Sequence, residues 1–175
     1  TVERKRMFDM AMELHDLQKR GTAAATALRP LVTRLTELAK EIGTRNDVPA
    51  DVKTSFETFQ KDVTALAPTL ITQPGGAGFG GGGGQGGPGG AAGATSPNVL
   101  TRLGQAKNGV MATMPVTALT TRAFSEAKTD VPKAIVDANA LFARAAALSG
   151  ALAKFNLKLE APSPVKYTPG IWLQY

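Results

Sequence analysis

The chain has 175 residues, a formal charge of +6 and a pI near 9.8; 43% of its residues are hydrophobic, 6% are aromatic and none is cysteine. That length suits a single domain, and the missing thiols exclude disulfides and thiolate metal sites. Between Arg4 and Asp47 basic and acidic residues alternate as on a solvated helix face, without the basic clusters and stacking aromatics of a nucleic-acid tract. The surplus positive charge suits an anionic membrane surface or an acidic partner.

The first element carries the clearest pattern. Met7, Met10, Leu14, Leu17, Gly21, Ala24, Leu28, Leu31, Leu35, Leu38 and Ile42 recur alternately three and four apart, which is the seam of helices packed at a shallow angle. The phase survives Gly21 and Pro30, so one helix of about 60 Å is expected, kinked near Arg29-Pro30 and ended by Gly43. Pro49 opens a second, shorter helix with Val52, Phe56, Phe59, Val63 and Leu66 on its seam, and Pro68 is expected to close it.

Residues 74–95 form a glycine-rich run containing Gly78-Phe79-Gly80-Gly81-Gly82-Gly83, which formally fits GxGxxG. A dinucleotide fingerprint needs a strand before the glycines and a helix directly after them. Here helix and proline precede the run, so it reads as a spacer with a reach of about 25 Å, Phe79 being its one large apolar side chain.

Ser96-Pro97 is expected to cap a third helix carrying Val99, Leu103, Ala106 and Val110. Pro115 is expected to open a fourth and long one, with Phe124, Ala127, Val131, Ala134, Ala138, Leu141, Ala145, Leu148, Leu152 and Phe155 on its seam. Pro132 marks a second kink or a restart. After Asn156 prolines recur, and residues 158–175 should run extended.

No segment of any length alternates with period two. The fold class is therefore all-α: an elongated antiparallel helical bundle of two long kinked helices and two shorter ones, the long pair lying antiparallel. Residues 1–73 supply one long and one short helix, 74–95 the loop, 96–157 the other short and long helices, and 158–175 the tail.

Chemistry finds little purchase. His15, the only histidine, has no carboxylate or histidine three or four positions away, so no helical metal site forms around it. Glu37 and Glu41 lie outside the seam, and no nucleophile–base pair can be assembled. No enzyme activity, metal or cofactor is expected. Met7 and Met10 fall on the seam, whereas Met12, Met111 and Met114 leave a soft binding surface open. The tail concentrates Tyr167, Ile171, Trp172, Leu173 and Tyr175 beside prolines; such anchors on a pre-stiffened segment suit protein docking, the other reading being that they fold back on the bundle. With Phe79 they form the expected partner-binding set.

The stretches "FDMAMELHDLQKR", "SPNVLTRLGQ" and "MPVTALTTRAFSEAKTDVPKAIVDANALFARAAALSGALAKFNLKLEAP" resemble the C-terminal helical region of bacterial sortilin-like, BNR-repeat exported proteins that are often labelled glycosyl hydrolases. In that family the helices follow a propeller with SxDxGxTW boxes. None occurs here, so no hydrolytic residue is implied. The resemblance implies an exported, periplasmic location and a helical appendage used in assembly. The start at Thr1, without an initiator Met, fits a processed remainder of a longer product, and no apolar run approaches the ~20 residues of a membrane span.

The expected function is a non-catalytic interaction subunit, docked on a larger complex such as a respiratory or photosynthetic membrane assembly. The alternatives are an appendage of a glycosidase-type protein and a basic membrane-surface or nucleic-acid binder.

Overall fold

A computed structural model describes residues 2–71, 96–112 and 116–166. They form four helices: α1 (Val2–Thr44), α2 (Ala50–Leu70), α3 (Val99–Ala112) and α4 (Ala118–Ala153). No strand occurs among the described residues, and the all-helical bundle stands. Ten of the eleven α1 seam residues are buried and Met7 is packed against the core. The four α3 seam residues are buried as well. Both long helices run unbroken through their prolines, so α4 does not restart at Pro132.

The contacts give the directions of the helices. Glu3 Oε1 accepts from Val116 N at 3.4 Å, and Lys128 Nζ lies 2.7 Å from Glu13 Oε1. Positions advancing along α1 therefore meet positions advancing along α4, and the two long helices are parallel. Arg144 Nη1 reaches Asp62 Oδ2 at 2.7 Å, while Asp51 and Ala151 line one groove, so α2 runs against α4. Lys107 Nζ meets Gln18 Oε1 at 3.0 Å, and Leu100 packs at Gly21, so α3 runs against α1.

Between them α2 and α3 make the middle rod. Asn98 Nδ2 donates to the Pro68 carbonyl at 3.3 Å, so α3 starts where α2 stops. Their 21 and 14 residues together match the 36 of α4. The result is an up-down-up arrangement of three rods whose middle rod is broken. The expected antiparallel pairing of the two long helices is corrected accordingly. The antiparallel pairs join each long helix to the middle rod.

Close approach of the rods explains Gly21. A Cβ there would overlap the Leu100 side chain and come within 3.3 Å of Val131 Cγ1, so α1, α3 and α4 meet over a bare backbone. Elsewhere the core is aliphatic, with Phe56, Phe59 and Phe142 filling its larger spaces.

Three expected boundaries move. Pro68 lies inside the last turn of α2, which continues to Leu70 and closes with Ile71 N donating to the Ala67 carbonyl at 2.7 Å. Burial of Leu70 and Ile71 keeps the chain wound past the proline. Asn98, in place of Ser96, caps α3: its Oδ1 accepts from Leu100 N and Thr101 N, both at 3.0 Å. Thr117 caps α4 by accepting from Thr120 N at 3.1 Å, while Pro115 lies outside the described residues. At the α1–α2 turn Arg45 holds Asp47 through two bonds of 2.9 and 2.6 Å, which keeps that carboxyl below its usual range.

By length and composition α4 is apolar enough to cross a membrane, with a mean hydropathy of 1.3 over its best window, contrary to the reading from apolar runs alone. A third of that window is buried in the bundle, and the helix carries Asp137 and Arg144. It packs against all three other helices.

Because Pro68 and Asn98 touch, residues 72–95 connect two neighbouring points and need not span any distance. Replacing them with about six Gly and Ser residues should leave helicity unchanged and raise stability by about 1 kcal/mol through the smaller closure entropy. Circular dichroism and urea unfolding check this; loss of cooperative unfolding would contradict it.

Candidate interaction site

The end of α4 is built to reverse the chain. Asn156 adopts a left-handed conformation at φ 58°, Asn156 N donates to the Ala153 carbonyl, and Leu157 N donates back to the Leu152 carbonyl at 3.2 Å. This closure satisfies the last carbonyls of the helix and turns Leu157 into the core. Leu157 and Leu159 are buried, whereas Lys158 and Glu160 point outward.

Two polar clamps hold the segment beyond Leu157. Arg34 Nε donates to the Lys158 carbonyl at 2.9 Å, and its Nη1 binds Glu37 and Glu41 at 3.0 and 3.1 Å. The carboxylate pair that reads as solvated in sequence thus aims a guanidinium at the strap. Farther on, Asn139 Oδ1 accepts from Val165 N at 2.8 Å while its Nδ2 donates to the Val165 carbonyl at 2.9 Å. An amide side chain pairing with both groups of one residue copies a strand contact, and it fixes position as well as orientation.

Residues 157–166 therefore form a strap that runs back from the end of α4 to its middle, about 20 Å along the helix. The expected tail, 158–175, divides here. Its first part is a fixed strap. Its aromatic part, with Tyr167, Ile171, Trp172, Leu173 and Tyr175, lies outside the described residues, as does Phe79. The root of the aromatic segment is thereby set beside Asn139, at mid-bundle.

Other candidate positions fall apart from one another. His15 is exposed, with Nδ1 3.4 Å from Lys107 Nζ, and no cluster of potential metal ligands exists among the described residues. Met10 is buried, Met12 and Met111 are exposed, and Met114 lies outside the described residues.

A groove of about 390 Å³ separates α2 from α4, lined by Asp51, Ser55, Phe59, Arg144 and Leu148 among others. Arg144 lies over the Phe59 ring at 5.5 Å and pairs with Asp62. That engagement leaves the guanidinium committed to holding the two helices together.

Asn139 and Arg34 are the strap-holding residues that sequence reasoning misses. Their partners are backbone groups distant in sequence, and a single Asn or Arg on a helix carries no pattern announcing such a contact. No family model matches the chain, and no match emerges from the curated proteins or the solved structures.

Replacing Asn139 with Ala removes both bonds to Val165. The expected cost is about 1–2 kcal/mol, with faster amide exchange at Val165 and no loss of helix content. Unchanged exchange at Val165 would show that the clamp does not hold the strap.

Proposed function

We propose that this chain is a non-catalytic interaction subunit that docks on a larger assembly through its C-terminal aromatic segment. The observation that carries the reading is the clamped strap. Asn139 and Arg34 hold residues 157–166 against the bundle, so that the chain beyond Lys166 leaves from a fixed point. A short segment with a fixed root loses less freedom on binding than one on a loose tether. Its Trp, Tyr, Ile and Leu residues belong to the types that dominate the buried centres of interfaces or pack beside them.

The bundle supports this role as a rigid mount. Three rods with interdigitated aliphatic seams provide a stiff body, and the small α2–α4 groove has its cation tied to Asp62 and Phe59. The sequence resemblance to sortilin-like exported proteins favours an exported location and an assembly with other chains, of which a membrane-bound complex is the type proposed.

Deleting residues 167–175 tests the reading, because the cut spares the strap. The truncated chain should keep its helicity and unfolding midpoint and lose at least tenfold in affinity for the native assembly that the full chain retains. Equal retention of the same assembly by both chains would overturn the tail's role.

A further inference from the structure

One face of the bundle separates its charges in a way that the tail does not explain. Arg4, Phe8, Met12, His15 and Lys19 stand four, four, three and four apart and so share one side of α1. Phe8 is 63% and Met12 48% exposed. From α3, Lys107 reaches His15 and Gln18 on the same side. Met111, one turn beyond Lys107 and 69% exposed, comes alongside the α1 turns that precede His15, because the two helices are antiparallel. At the same end Leu119, in the first turn of α4, is 77% exposed.

Three acids of this half of α1 are occupied elsewhere. Glu3 bonds Val116 N, Glu13 pairs with Lys128 and Asp16 pairs with Arg20. Asp9, Glu13 and Asp16 recur four and three apart as a stripe bordering Met12, and α3 contains no acid at all. The α1–α3 face therefore presents Phe8, Met12 and Met111 among Arg4, Lys19 and Lys107, with the acids of α1 confined to one edge of it.

We infer that this face is a docking surface for an anionic lipid bilayer. Flexible methionines and a phenylalanine enter the boundary between headgroups and acyl chains, while the surrounding cations meet lipid phosphates. Each Lys or Arg close to such a surface adds to the attraction over about a Debye length. A single-stranded nucleic acid would call for several stacking rings, and Phe8 is the one aromatic side chain of the patch. This surface is independent of the C-terminal segment, so failure of one leaves the other standing.

The test is flotation of the full chain with phosphatidylcholine vesicles, with and without phosphatidylglycerol, at low and raised salt. Binding is expected only with the anionic lipid, falling at least tenfold at raised salt. The double variant Phe8→Asp, Met111→Asp should lose at least tenfold in binding with its circular dichroism unchanged, since both side chains are exposed. Val136→Asp, at an exposed position on another face, should bind like the unmodified chain.

Absence of vesicle binding would overturn the inference, as would binding that the double variant retains. A concentration-dependent dimer abolished by the double variant, with no vesicle binding, would assign the face to a second copy. Equally tight binding to duplex DNA that survives the double variant would also contradict it.

Discussion

A single buried amide, Asn98, joins the two halves of the middle rod. Helix ends expose unpaired donors and acceptors, and ends brought together inside a bundle cannot all turn to water. The Oδ1 of Asn98 takes two N–H groups of α3 while its Nδ2 gives a bond to the α2 carbonyl of Pro68. With 6% of its surface exposed, the residue closes both ends at once. The core then passes from Leu70 and Ile71 to Val99 and Leu103 without a gap. Two short helices act as one rod, and the long helices, lying on either side of that rod, run in the same direction.

Apolar burial provides the adhesion and ion pairs set the register. Leu14, Leu28, Leu38, Phe56, Ile135 and Phe142 are almost wholly removed from water, and each such side chain contributes about 1.5–3 kcal/mol of transfer free energy. Glu13–Lys128, Asp62–Arg144 and Arg102–Asp130 join different helices while staying partly exposed. Such pairs add little stability, but they disfavour a one-turn slip between rods. The strap extends the same logic, since Leu157 and Leu159 supply burial while Arg34 and Asn139 fix position. A rigid root for the aromatic segment and the exposed Phe8–Met12 face both follow from this one scaffold.

The seams of all four helices were legible because a three-four alternation survives any choice of neighbours. Ile135 and Phe142, both buried, each directly follow a seam residue, Ala134 and Leu141, so the buried stripe of α4 is broader than a narrow seam. Periodicity states which face is inside and is silent on which rod lies there; hence the long pair reads as antiparallel until Asn98 is seen to join α2 to α3. The Ser96-Pro97 cap failed for a local reason. Asn98 lies nearer the first turn, and its longer amide reaches both the α3 N–H groups and the Pro68 carbonyl. The aromatic anchors are plain in the sequence, whereas the clamps that place their root depend on backbone acceptors that have no letter code.

The parallel course of α1 and α4 is the claim on which the scaffold rests, and the chain's lack of cysteine permits a direct measurement. Paired cysteines at exposed positions, spin-labelled and read by double electron–electron resonance, report the distances between helices. Lys5 with Arg122 should lie within about 25 Å, and Lys5 with Gly150 beyond about 40 Å, given a rise of 1.5 Å per residue. A reversed order, with Gly150 the nearer partner, would contradict the three-rod arrangement.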